Sequence, residues 1–370
     1  MEKREKAVRE PLFHIAKRDA IPWWEAWTVR ALAVALALIV SAVVTVLLTG
    51  ENPFRVYATM IDGAIGTERR IWSLLQGVAM LLCVSIAVTP AFKMRFWNIG
   101  AEGQVLAGGM ATAACMILFG GKLQSYLLFP IIVISSVLAG VIWAVIPAFF
   151  RARWGTNETL FTLMMNYIAI QIVSFFVYEW SVPKGSGQIG VINSDTQAGW
   201  LPSIGGNDYL FNIIIVLVIT VFMYIYLKYS KHGYEISVVG ESENTARYIG
   251  INVKKVIIRT MILSGAICGI AGLLLVSGTD HTITRDTAAG RGFTAIMVSW
   301  LAKFDPLYMV LTSLLIVFLQ KGAIEISTIY ELNKSFSDII TGIIIFFIIG
   351  SEFFINYQIK FHKAKKGENT

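Results

Sequence analysis

Residues 92–108 read Phe-Lys-Met-Arg-Phe-Trp-Asn-Ile-Gly-Ala-Glu-Gly-Gln-Val-Leu-Ala-Gly, placing Asn98, Glu102 and Gln104 among three glycines where an apolar helix begins. Apolar runs flank it at 71–90 and 104–120, close to the ~20 residues that cross a bilayer. Polar groups there have no water to turn to, so such a segment is tolerated only where protein buries it or a watery cavity solvates it. It therefore lines a path through the membrane or packs beside one. A capping reading stands equally: Glu102 in the first turn of a helix at the cytoplasmic interface is favoured by the helix dipole. Gly103, Ala107, Ala111 and Ala114 recur at helical spacing and offer a small-residue face for close helix approach.

Outward from this stretch the whole chain has the same pattern. Of its 370 residues 56% are apolar and only 15% charged, with mean hydropathy +0.65, which excludes an ordinary soluble domain. Apolar runs at 28–49, 71–90, 104–120, 127–149, 158–178, 210–228, 257–277, 293–302, 307–323 and 338–357 predict an all-α, polytopic transmembrane bundle of about ten spans. The eighth run is too short to cross alone and reads as a half-helix or re-entrant piece. Residues 1–27 form a cytoplasmic or interfacial segment, with Trp23, Trp24 and Trp27 suited to the membrane interface; 28–357 form the membrane domain and 358–370 a basic tail. No removable signal peptide is visible.

The net charge of +7 raises nucleic acid as a partner. With the N-terminus inside, however, most of the 31 Lys and Arg fall on the cytoplasmic side, including Lys228, Lys231, Arg247, Lys254, Lys255 and Arg259. The bias places both termini in the cytoplasm and makes a nucleic-acid patch unnecessary. Cys83, Cys115 and Cys268 lie inside apolar runs and read as packing residues.

Residues 278–292 form a second Gly-interrupted polar stretch directly before a helix. Spans two to five and seven to ten thus form two repeat-like halves, as expected where a transport path runs between repeats. Asn157 or Thr156 can cap span five, and Asn166, deeper in that span, needs a partner, with interhelical hydrogen bonding the first expectation. In the inside loop 229–256, Ser242 or Asn244 can cap a short helix ending at Gly250. Such a helix, bearing Ala246, Tyr248 and Ile249 toward the cytoplasm, calls for a covering partner.

Four scattered histidines give no metal-ligand spacing, and Asp280 with His281 is assigned no metal. There is no Gly-x-x-x-x-Gly-Lys-Ser/Thr phosphate loop and no catalytic triad pattern, so energy for any transport comes from elsewhere and no cofactor is expected in this chain.

Taken together, Phe96-Trp97-Asn98-Ile99-Gly100-Ala101-Glu102-Gly103-Gln104, Gly155-Thr156-Asn157-Glu158-Thr159, Gly240-Glu241-Ser242 with Ala246-Arg247-Tyr248-Ile249-Gly250-Ile251, and Gly290-Arg291-Gly292-Phe293-Thr294-Ala295-Ile296 resemble the permease subunits of ABC importers for simple sugars and nucleosides. The likeness covers about residues 30–357. It implies a multi-pass protein of the cell membrane, a second permease subunit as homo- or heterodimer, a cytoplasmic ATPase carrying ATP and Mg, and an extracellular or periplasmic substrate-binding protein. It implies that 240–251 couples to the ATPase, through Glu241, Ala246, Tyr248 and Gly250. The Asn98–Gln104 stretch looks more like the nucleoside group than the ribose group. The sequence-level expectation is a nucleoside permease, not an enzyme, with Asn98, Glu102, Gln104 and Asn166 in the substrate path; a simple-sugar importer and an ion-coupled carrier are the alternatives, followed by a membrane enzyme using Glu102, Asp280 and His281.

Overall fold

The computed structural model describes residues 13–18, 22–181 and 183–361. The basic residues before position 13, much of the predicted tail and the side chains of Trp23 and Trp27 lie outside the described residues.

The helices are α1 (Trp23–Thr49), α2 (Pro53–Ile65), α3 (Glu68–Lys93), α4 (Ala101–Phe119), α5 (Ser125–Trp154), α6 (Glu158–Trp180), α7 (Leu210–Tyr229), α8 (Lys231–Glu241), α9 (Glu243–Tyr248), α10 (Val253–Leu275), α11 (Arg291–Leu301), α12 (Pro306–Ile329) and α13 (Lys334–Asn356). Nine described helices, namely α1, α3 to α7, α10, α12 and α13, are long and apolar enough to cross a membrane. The predicted eighth run is α11, whose 11 residues reach only about 16 Å at 1.5 Å per residue. The expected half-helix is therefore present, and the protein is a polytopic helical bundle.

Two compact units are distinguished. One comprises Met1–Gly63 with Leu319–Thr370, the other Ala64–Phe318. In the first, α1 packs on α13, and Arg30 on α1 forms a 2.6 Å ion pair with Glu352 on α13. Strand β1 (Phe13–Lys17) pairs antiparallel with β2 (Tyr357–Phe361), so the chain enters α1 and leaves α13 on the same side. This ribbon and α2 are absent from the sequence reading.

The second unit is built around α3 and α10. Both are buried along most of their length because neighbouring helices surround them, and α10 packs on α3, α4 and α5. Close approach is set by glycine. A Cβ at Gly269 of α10 would stand 2.4 Å from the Ser136 carbonyl oxygen of α5, and one at Gly108 of α4 would stand 2.6 Å from the Gly269 Cα. Helices in lipid associate through such backbone contact rather than through hydrophobic burial. Within α4 the close approach to α10 thus runs from Val105 to Gly109, opposite Gly269 and Gly272, whereas Gly103 of the predicted small-residue face meets Trp143 of α5 and Asn166 of α6.

Between α10 and α11 the chain makes a π-turn, Val276–Asp280, and then a loop over 281–290. His281 stacks on Trp200 at 3.7 Å and its carbonyl accepts from the Ile192 amide, whereas Trp300 lies against Trp97 beside the end of α3. The loop and α11 together make the pass that no single helix makes.

Candidate functional site

The first interruption starts where α3 ends at Lys93, and Arg95 takes a left-handed φ of 61° that turns the chain. Asn98, wholly buried, organises the turn into α4. Its Oδ1 accepts from the Gly100 amide at 3.1 Å and from Gln104 Nε2 at 3.2 Å, and its Nδ2 donates to Ser264 Oγ of α10 at 3.2 Å. Asn166 of α6 completes this turn: its Oδ1 accepts from the Gly103 amide at 2.8 Å and its Nδ2 donates to the Ile99 carbonyl at 2.8 Å. One side-chain amide thus satisfies a donor in the first turn of α4 and an acceptor just before it, groups a helix start otherwise leaves orphaned. Thr162, one turn earlier on α6, accepts from the Ile99 amide at 3.2 Å.

Glu102 does not cap its own helix. Its Oε1 accepts from the Gly290 amide and its Oε2 from the Gly292 amide, both at 2.7 Å, so the carboxylate closes the N-terminus of α11. The dipole argument holds, applied to a helix 188 residues away in the chain. Gly290 has a φ of 71°, and a Cβ on Gly292 would come within 2.4 Å of the Glu102 amide nitrogen, so both positions favour glycine.

The four predicted path residues are therefore brought into one buried cluster. Asn98, Glu102 and Asn166 have their polar atoms engaged by protein, while Gln104 Oε1 has no hydrogen-bond partner among the described residues. Of the alternative caps for span five, Asn157 is the one used, accepting from the Leu160 amide at 3.1 Å, and Glu158 pairs with Arg151 at 3.3 Å.

In the 229–256 segment Ser242, not Asn244, caps the short helix α9, accepting from the Thr245 amide at 3.2 Å, and Gly250 comes after it at φ 86°. Tyr248 is 91% exposed and Ile249 is exposed. Ala246 faces the other way: it is 0% exposed, because the short helix turns this face onto the protein. Glu241 ends α8 and is exposed. Helix α8 itself rests on the first interruption, since a Cβ at Gly240 would lie 2.0 Å from the Lys93 carbonyl oxygen. The surface segment, the end of α3, the Asn98 turn, Glu102 and α11 are thus in unbroken contact.

The sequence reading missed Thr162 and Ser264 as partners and Ser299 of α11, whose Oγ donates to the Ser85 carbonyl of α3 at 3.0 Å. Thr162 was within reach, lying one turn from Asn166 on the same face. Ser264 and Ser299 carry no local signal, because small hydroxyls in spans commonly bond their own helix.

A multi-pass helical bundle with one broken pass and a capped surface helix is an architecture suited to membrane transport. Residues 70–349 match the family model described as "Branched-chain amino acid transport system / permease component", and the chain belongs to this family. It is similar to the guanosine ABC transporter permease protein NupP of Bacillus subtilis, 28% identical over 92% of this chain and 97% of that one. The nucleoside ABC transporter permease protein NupB of Lactococcus lactis is 27% identical over 92% and 95%. The glucose ABC transporter permease protein TsgB13 of Haloferax volcanii is 26% identical over 95% of each. The protein is therefore an ABC transporter permease, a multi-pass protein of the plasma membrane that works with an ATPase and a substrate-binding protein.

Proposed function

We propose that this chain is the permease through which nucleosides enter the cell, driven by a separate ATPase that binds ATP and Mg and docks on α8 and α9. A second permease subunit completes the passage, and a binding protein delivers cargo from the other side. The contact between Gly240 and the Lys93 carbonyl carries the mechanical part of this reading: a push on α8 has no slack before it reaches the α3–α4 turn. Close-packed interiors transmit such displacement rather than absorb it. From the turn the movement passes through Glu102 to α11, so the polar cluster acts as the hinge of the wall rather than as a row of ligands for cargo. Tyr248 and Gly250 serve the docking face, Glu241 its edge, and Ala246 holds α9 down.

Nucleoside cargo is supported by the guanosine and nucleoside relatives and by the Asn98–Gln104 stretch. A simple-sugar cargo is the second reading, favoured by the glucose permease relative that covers 95% of this chain. The test is uptake of radiolabelled guanosine by cells that lack their own nucleoside carriers and express this chain with its partners. Guanosine uptake that stops on ATP depletion at constant ion gradient and resists excess glucose is expected. Uptake of glucose in its place, or guanosine uptake that tracks a sodium or proton gradient without ATP, contradicts the reading.

A further inference from the structure

A cavity of about 500 Å³ opens between the end of α3, helix α8 and helix α11, within the size range of small-molecule sites. Its wall is aromatic. Phe92 meets Trp97 edge-on at 5.7 Å, Trp97 meets Trp300 at 5.7 Å with the planes tilted by 33°, and Trp300 meets Phe304 at 5.8 Å. The two indoles are 44% and 51% exposed, so ring surface is open to the cavity. Lys93 and Arg95 line the same space with Ser237 and one carboxylate, Glu241, which leaves a net charge of +1, and neither cation forms an ion pair among the described residues. The backbone is strained at its rim: Arg95 at φ 61°, and Lys303 and Phe304 consecutively at φ 51° and 62°, hold left-handed conformations that non-glycine residues rarely adopt. Such strain is held in place by surrounding structure and clusters at ligand sites and switches.

We propose that this cavity is a binding site for a small aromatic anion, of the class of a nucleoside monophosphate, and that its occupation slows the importer. Ring faces of tryptophan stack on any nucleobase, and a lysine with an arginine matches a phosphate by charge and by fork geometry. A neutral nucleoside engages only the rings, so the pair of cations selects the phosphorylated compound. The site lies between the helix that contacts Lys93 and the half-helix that Glu102 caps. A ligand bridging them clamps the two parts that move against each other during transport. The inference rests on the reading that α8 and α9 face the ATPase and the cytoplasm; a phosphorylated form of the cargo accumulating there then restrains further entry.

The test uses the permease purified with its second permease subunit and its ATPase; the binding protein that delivers guanosine is left out of the dialysis and added only for transport. Equilibrium dialysis with radiolabelled guanosine monophosphate measures binding, and proteoliposomes loaded with ATP, with or without guanosine monophosphate, measure guanosine uptake. We expect saturable binding, at least tenfold weaker binding of guanosine and of inorganic phosphate, and uptake reduced several-fold by the monophosphate inside. In the K93A/R95A and W300A variants, the ratio of uptake with and without the monophosphate returns toward one, each variant being its own reference. Equal binding of guanosine or of phosphate, binding by the isolated permease but not by the complex, or a ratio unchanged by the substitutions overturns the proposal. Absence of any guanosine uptake strikes at the proposed cargo instead, and the dialysis result then still decides the site.

Discussion

The two glycine-bearing interruptions solve one problem in different ways. The first, residues 94–100, is short and closed by neutral amides, Asn98 within the turn and Asn166 reaching in from α6. The second, residues 281–290, comes after a π-turn and receives a carboxylate at its far end, Glu102 reaching in from α4. In each case a side chain from the helix of another pass satisfies the first amides of the broken one. The support runs from α6 to α4 to α11, and only its last step is charged. A buried cap has no water to replace it, so the order of support is also the order of vulnerability. Polar residues within spans, read singly, suggest a route for cargo; read with their partners, they form a junction between passes.

The sharpest way to break this comparison is to remove each cap. Glu102→Ala leaves two buried amides orphaned and is expected to cost about 3 kcal/mol or more in detergent unfolding, against about 2 kcal/mol for Asn166→Ala. Equal costs would show that charge at the second junction adds nothing. The glycines come next. Gly292→Ala sets a Cβ 2.4 Å from the Glu102 nitrogen and is expected to cost about 2 kcal/mol, whereas Gly103→Ala meets side-chain atoms at 2.9 to 3.2 Å and costs about 1 kcal/mol. A reversed order, read from thermal melts of the two variants, would mean that the first turn is the more rigid one.

Smaller effects define where the junctions end. Ser242→Ala removes the α9 cap for about 1 kcal/mol, and hydrogen exchange is expected to quicken at residues 243–248 while the Gly290 and Gly292 amides stay protected. His232 tests the surface segment by pH. Burial holds it below its ordinary value of 6.5, with Tyr226 Oη 2.8 Å from its Nδ1. The folded chain thus takes up the proton less readily than the unfolded one, and stability rises with pH across the window beneath 6.5 and is lost as pH falls through it. Melting temperatures of His232→Gln are expected to be flatter over that window, with no change in the cost of Glu102→Ala.

Much of this architecture was legible in the sequence because lipid imposes length and apolarity on every span. The half-helix at 291–301 was visible by its shortness, and the Asn98–Gln104 stretch by its cost in hydrocarbon. Helix α2 was not, since Arg55, Asp62 and Gly63 interrupt its apolar pattern, and α8 was hidden by Lys231, His232 and Glu235. Asn98, Glu102, Gln104 and Asn166, expected in the substrate path, were visible as residues in need of partners, because each amide or carboxylate there demands one, and they lie together in the fold. The identity of those partners was beyond reach. Gly290 and Ser264 meet Glu102 and Asn98 only through tertiary packing, and Ala246 turned out buried because a six-residue helix presents one face to its own protein.

The central claim is that a push on α8 reaches α11 through Glu102. It is tested most directly by measuring guanosine uptake and ATP hydrolysis together in one reconstituted importer, with and without Glu102→Gln. The substitution keeps the shape and leaves only one acceptor for two amides. The account predicts continued hydrolysis with fewer guanosine molecules carried per ATP; an unchanged ratio, with both rates intact, would contradict it.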